Sequence, residues 1–165
     1  LVFVSHDSAQ TWKPKEFANE IHSVTPSGEG VAAVGNGIVV TSADRGKTWQ
    51  RQRLNNVLLT GAAKDLCHTF NGDFYLPNSG YSEFQKEKVQ GRANYLTKLI
   101  MINHHSISHI ALGHQGNLVF RNKSGSLVPA KIEGEPRLTD VLLYRNSQVL
   151  LSGEGGKLYL VNLPE

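Results

Sequence analysis

Short apolar runs, rich in Val, Ile and Leu and separated by glycine turns, recur along the whole chain. Ile38-Val39-Val40-Thr41-Ser42 follows Gly37, Asn117-Leu118-Val119-Phe120-Arg121 follows Gly116, and Lys157-Leu158-Tyr159-Leu160-Val161 follows Gly156. Each is preceded by a second apolar run that ends in glycine: Val31-Ala32-Ala33-Val34-Gly35, Ile110-Ala111-Leu112-Gly113 and Val149-Leu150-Leu151-Ser152-Gly153. An apolar run, a glycine turn and another apolar run predict a β-hairpin. Two fainter copies fill the gaps. Gly72 leads into Asp73-Phe74-Tyr75-Leu76, and Leu1-Val2-Phe3-Val4-Ser5 matches Ile38 to Ser42.

The copies stand about 37, 35, 44 and 40 residues apart. That period suits a sheet of four short strands, and no helical periodicity appears. In the cleanest copy the strands are expected at 21–26, 30–34, 38–42 and 49–54. Such sheets bury apolar faces against both neighbours, which predicts an all-β fold of β-propeller blades, each of four antiparallel strands. The repeats are expected at 1–17, 18–54, 55–97, 98–134 and 135–165. The first supplies two strands, the middle three about four each, and the last three. Because the first begins at its third strand, one strand is surplus if the ends are to share a blade. An arc of a larger ring is therefore expected, with a small closed ring as the alternative. The long 44-residue spacing places an insertion at Tyr81 to Lys98, expected as a polar loop or short helix.

Composition adds little and excludes several classes. With 39% apolar and 19% charged residues and 16 glycines, the chain reads as a turn-rich β domain. The net charge of +3 is spread without a basic stripe, which argues against a nucleic-acid partner. Cys67 is the single cysteine, so no internal disulfide and no cysteine-based zinc site can form. No apolar run approaches the roughly 20 residues of a membrane-spanning helix. The chain opens on Leu1 and reads as a trimmed or processed start, so the lack of a signal peptide carries no weight.

Two segments follow one pattern. Ser42-Ala43-Asp44-Arg45-Gly46-Lys47-Thr48-Trp49 has the form Ser-x-Asp-x-Gly-x-Thr-Trp throughout. Ser5-His6-Asp7-Ser8-Ala9-Gln10-Thr11-Trp12 departs from it only at Ala9. In 121–127 only Gly125 survives. The pattern resembles the Asp box, or BNR repeat, of Asp-box propellers. Its chemistry is that of a turn: Asp44 accepts backbone N–H bonds between the third and fourth strands, Gly46 allows positive φ, Thr48 suits a strand, and Trp49 packs. Ser5, Asp7, Thr11, Trp12, Ser42, Asp44, Gly46, Thr48 and Trp49 are accordingly expected to be structural. Within such propellers, the stretch from Val34-Gly35-Asn36-Gly37 to Trp49 is similar to the photosystem II assembly and stability factor family. The resemblance implies a lumenal, periplasmic or secreted scaffold that docks a partner protein and needs no cofactor or metal.

Asp-box propellers also include sialidases and endo-glucanases. A glycoside hydrolase fragment or a carbohydrate-binding module is therefore the competing reading, with carbohydrate as ligand. No arginine stands in a sialidase-like Arg-Ile-Pro context, and among Asp65, Asp73, Asp140 and Glu154 no carboxylate pair stands out. The histidines His104, His105, His109 and His114 form the one metal-like cluster. On a strand, His105 and His109 would lie about 13 Å apart, too far to share an ion. No catalytic and no metal residue is expected. Partner contact is expected on the inserted segment, which combines the aromatic Tyr81, Phe84 and Tyr95 with the basic Lys86, Lys88 and Arg92. An incomplete arc would also self-associate.

Overall fold

The computed structural model describes all residues except Gln90, Arg92 and Glu165. Among the described residues there are fifteen strands and one 3-10 turn (Glu154–Gly156), with no α-helix. Sheet one is β1 (Val2–Val4) with β2 (Lys13–Lys15). Sheet two uses β3 (Ile21–Ser27), β4 (Gly30–Ser42) and the start of β5 (Gln50–Ala63). A straight strand of 13 residues would hold Gly30 and Ser42 about 40 Å apart. A Cβ on Gly30 would instead lie 2.1 Å from the Ser42 carbonyl oxygen, so β4 doubles back at Gly37, whose φ is +62°. It thus supplies the second and third strands of its sheet. In the same way β5 bends at Asn56 (φ 60°). Residues 50–53 pair with 38–41 of sheet two, while 59–63 pair with β6 (Leu66–Thr69).

Sheet three continues through β7 (Phe74–Pro77) and β8 (Phe84–Glu87). Sheet four is β9 (Leu96–Met101), β10 (Ile107–Gly113), β11 (Asn117–Asn122) and β12 (Leu127–Lys131). Sheet five is β13 (Leu138–Arg145), β14 (Gln148–Gly153) and β15 (Leu158–Asn162). All strand pairs are antiparallel, neighbouring sheets stack face to face, and the sheets do not close into a ring.

The core lies entirely between sheets, in four layers. Ala33, Ile38 and Val40 of sheet two look back at Val2, with Phe17 and Trp49 closing the layer. Their sequence neighbours Ala32, Val34 and Val39 look forward to Leu59, Ala62 and Cys67 of sheet three. Leu66 and Phe74 then meet Leu96, Ala111 and Val119, and Ile110, Leu112, Leu118 and Phe120 meet Leu138, Val141, Val149 and Leu151. Successive side chains on a strand point to opposite faces. A strand covered on both faces must therefore be apolar at every position, which is why these runs read as continuous rather than alternating.

At Gly35 and Gly113 glycine lets the hairpin tip press on the start of its own innermost strand. A Cβ on Gly35 would sit 1.8 Å from the Glu20 carbonyl oxygen, and one on Gly113 1.9 Å from that of Tyr95. The next residue donates to the same oxygen, Asn36 N to Glu20 O and His114 N to Tyr95 O, both at 3.0 Å.

The segment Tyr81 to Lys98 departs from its expectation as an inserted loop or helix. It holds β8, the outermost strand of sheet three, and the first residues of β9. Phe84 and Glu87 are half-buried and Gln85 and Lys86 between them are exposed, so the strand has no clean alternation and its high charge disguises it.

Gly113→Ala is expected to lower stability by about 2 kcal/mol or more, because backbone rather than a movable side chain blocks the new methyl. An unchanged urea midpoint would show that β10 does not approach Tyr95 this closely.

Candidate functional site

Two surfaces carry chemistry, the turns joining third to fourth strands and the inner wall made by the first strands. In the second turn, Asp44 Oδ1 accepts from Thr48 N (2.8 Å) and Ser42 Oγ (2.8 Å), and Asp44 Oδ2 accepts from Thr48 Oγ1 (2.6 Å). Gly46 N donates to Ser42 Oγ (2.7 Å), and Trp49 Nε1 donates to the Gly46 carbonyl (3.0 Å). The first turn repeats this. Thr11 N donates to Asp7 Oδ1 (2.9 Å), Ser5 Oγ to the same atom (2.8 Å), and Thr11 Oγ1 to Asp7 Oδ2 (2.5 Å). These bonds hold the Asp7 carboxyl down at about 2, the Thr11 hydroxyl acting most strongly, and the Thr48 hydroxyl pushes Asp44 lower still. Both carboxylates are consumed by their own turns. Trp49 is half-buried and edge-on to Phe17. Trp12, expected to pack likewise, is 56% exposed, because sheet one has only two strands to cover it.

The same clasp persists where the sequence pattern has faded. Ser82 N donates to Asn78 Oδ1 (2.9 Å) after β7, and Ser126 N to Asn122 Oδ1 (2.8 Å) after β11. Four turns therefore share one geometry, an Asp or Asn oxygen bound to the N–H four residues on, and that later residue is always Thr or Ser. The signal was present as Asn-x-x-x-Ser, one residue nearer the preceding glycine turn than Asp44 is to Gly37.

The inner wall escaped the sequence reading altogether. Each innermost strand opens with an apolar residue and then a hydrogen-bonding one: Ile21-His22, Leu59-Thr60, Leu96-Thr97 and Leu138-Thr139. His22, Thr60, Thr97 and Thr139 come together around a hollow of about 440 Å³. At its rim Lys98 Nζ lies 2.7 Å from Asp140 Oδ1, a pairing that lowers the Asp140 carboxyl. Through Val24, Ala62 and Leu99 the hollow runs into a largely apolar stretch of about 550 Å³ with Pro26, Ile100 and Met101. Together they form one groove, polar at one end and apolar at the other. Beneath it His68 is fully buried, its Nδ1 3.0 Å from the Thr69 carbonyl oxygen, and burial pulls its imidazole down to about 4.

Residues expected at a partner contact are dispersed. Tyr81 is buried, its hydroxyl donating to the Lys64 carbonyl, and Phe84 packs edge-on against it. Those two rings belong to the layer between sheets two and three, which removes them from the surface. Lys86 pairs with Asp73 at 2.8 Å, Lys88 is exposed, and Tyr95 stacks edge-on with Phe70. Arg92 lies outside the described residues. The histidines also separate. His104 Nδ1 accepts from Ser106 N and Ile107 N inside a turn, with His105 stacked on it. His109 Nε2 lies 3.1 Å from the Ala63 carbonyl oxygen and 3.3 Å from Asp65, which also receives Arg121 Nη1 at 3.0 Å. Among the described residues no group of three or more His, Cys, Asp or Glu could hold a metal. Asp65, Asp73 and Asp140 each face a different cation.

No protein-family model matches this sequence, and no curated protein matches it. Solved structures do. YCF48 from Cyanidioschyzon merolae superposes at a TM-score of 0.66 and 18% identity over 100% of this chain. A structure of YCF48 bound to D1 peptide gives 0.67 and 19% over 94% of it, and the WD40 beta propeller domain of Doa1 gives 0.62 and 15% over 90%. The fold is a β-propeller. The five sheets are its blades, and the chain spans only 61%, 55% and 53% of those three proteins. The computationally designed Ika4 protein matches at 0.66 and 12% over 92% of this chain and 96% of its own.

Two outcomes are expected at the turns. Asp7→Ala should lower the denaturation midpoint from neutral pH down to about 3.8, and the deficit should shrink as the pH falls through about 2, where Asp7 of the native chain loses its charge. A deficit constant to pH 2 would mean that the carboxylate does not hold the turn. Ala9 stands at φ +67°, where glycine is at ease. Ala9→Gly should therefore raise stability by about 1 kcal/mol, against the usual penalty for glycine, as read by thermal melting.

Proposed function

We propose that this chain is an arc of an Asp-box (BNR-repeat) propeller and serves as a non-catalytic scaffold. In this reading it takes an extended segment of a partner protein along the inner groove, in the manner of a photosystem II assembly factor. The observation that carries the reading is the groove. Hydrogen-bonding side chains recur on the four innermost strands at His22, Thr60, Thr97 and Thr139, and an apolar stretch ending at Met101 continues from them. Donors and acceptors repeated on neighbouring strands suit a main chain, and an adjoining apolar stretch suits one or two of its side chains. The hollow is too small for a folded domain.

The clasped turns, two of them in full Ser-x-Asp-x-(Gly/Ala)-x-Thr-Trp form, support Asp-box membership. The similar structure of YCF48 bound to D1 peptide supports a protein ligand. The dispersal of Asp65, Asp73 and Asp140 onto separate cations supports a role without catalysis, since glycoside hydrolysis needs two carboxyl groups facing one substrate. A lumenal, periplasmic or secreted setting belongs to the same proposal.

Peptides selected from a random display library against the intact chain test this reading. Met101→Glu and Thr97→Arg should each weaken the selected peptides by about tenfold or more, while Lys131→Glu on the outermost strand of blade four leaves them unchanged. Peptides indifferent to both groove substitutions would remove the groove from consideration. Turnover of a fluorogenic glycoside that is lost on Asp140→Asn would replace the scaffold with a hydrolase.

A further inference from the structure

Where a hairpin tip meets the residue that leads into its innermost strand, three blades make the same backbone contact. Asn36 N donates to the Glu20 carbonyl, Glu154 N to that of Arg137 and His114 N to that of Tyr95, at 3.0, 2.9 and 3.0 Å. The side chains at this place differ. In blade two Asn36 Nδ2 donates to Glu20 Oε2 at 2.8 Å, and in blade five Arg137 and Glu154 are both charged. Of the three, only blade four places rings there, so the fold itself does not require them.

Phe70, on the hairpin tip of blade three, completes a cluster with these rings. It stands edge-on to Tyr95, with centroids 5.3 Å apart, and to His114, at 6.0 Å. Phe70 and Tyr95 are 36% and 38% exposed, and neither belongs to any of the four apolar layers. The backbone beneath them is fixed. Leu96 N donates to the Phe70 carbonyl at 3.1 Å, and a side chain on Gly72 would collide with the Ala93 carbonyl oxygen. Tyr95 stands at φ +60°, a conformation that a bulky residue rarely takes. An exposed ring held at such a position points to a role in recognition rather than in stability.

The contact of Gly72 with Ala93 also brings Asn71 and Asn94, the sequence neighbours of Phe70 and Tyr95, onto one hollow. Asp73 and Lys86 line it too, joined at 2.8 Å. Each amide offers both a donor and an acceptor, and the ion pair sets an acceptor oxygen beside a donor nitrogen. Blades three and four each have a neighbouring blade on both sides within this chain, so the exposure of these rings does not come from an end of the arc.

We infer that this patch binds a neutral oligosaccharide. A pyranose unit has an apolar C–H face, which an exposed aromatic ring covers. Its rim of hydroxyl groups, each donor and acceptor at once, is met by amides and by a carboxylate–ammonium pair. A peptide main chain calls for an extended file of donors and acceptors, as the groove supplies, and an anion would face Asp73 and Glu87 in the hollow. None of Phe70, Tyr95 and His114 lines the groove, so the sugar site stands independently of the peptide reading.

Isothermal titration of the intact chain with cellohexaose, laminarihexaose, xylohexaose and N-acetylchitohexaose tests the site. At least one of these sugars should bind with a dissociation constant below about 1 mM. Phe70→Ser and Tyr95→Asn should each weaken that binding by about tenfold or more, with melting temperatures unchanged. Asparagine tolerates positive φ, so the second substitution removes the ring without disturbing the turn. Tyr95→Phe should bind as the unaltered chain does, and so should Met101→Glu in the groove. Failure of all these sugars to bind would overturn the proposal, as would binding indifferent to both ring substitutions. Capture of decaproline in place of the sugars, lost on Phe70→Ser, would make the patch a peptide site instead.

Discussion

The second and third strands of blades two to four are covered on both faces, and no blade has a hydrophobic interior of its own. The apolar layers exist only between blades, so each blade is stable only as part of the stack. That constraint shapes the rest. It demands small residues such as Ala33, Ala62 and Ala111 where sheets approach, and glycine at Gly35 and Gly113 where hairpin tips press on the neighbouring carbonyl oxygens. It also holds the innermost strands side by side, which is how His22, Thr60, Thr97 and Thr139, far apart in sequence, come to share one hollow.

The turns between third and fourth strands obey a local rule. An oxygen on the side chain at one position must reach the N–H four residues on. Aspartate and asparagine both present such an oxygen, so Asp7, Asp44, Asn78 and Asn122 do the same work with different charge. The carboxylate adds a second acceptor for the threonine hydroxyl, at Thr11 and Thr48. It also leaves the two aspartates with no free oxygen for chemistry. What looks like a pair of exposed acids is in each case a closed turn.

The polar residues that cross between blades act in a similar way. Asp65 on the turn before β6 reaches His109 and Arg121 of blade four. Burial pushes the His109 imidazole below its ordinary value, and Asp65 opposes that only in part. The apolar end of the groove borders this network at Ala63, whose carbonyl oxygen lies 3.1 Å from His109 Nε2.

The blade repeat was legible in the chain because its determinants are local. A hairpin needs a glycine between apolar runs, and an Asp-box turn needs its residues within eight positions, so Gly37, Gly116, Asp7 and Asp44 stand out without any tertiary knowledge. The strand tally, and with it an arc that does not close, followed from the same signals. Local signals fail where a residue is chosen by what lies across from it. Tyr81 and Phe84 have the composition of a binding loop, yet the face of blade two claims them. Trp12 matches Trp49 letter for letter and stays exposed because only two strands surround it. The groove was invisible for the same reason, since Thr60 and Thr97 gain their meaning from convergence across four blades, and only the stacking of sheets, a non-local contact between apolar faces, decides which residues converge.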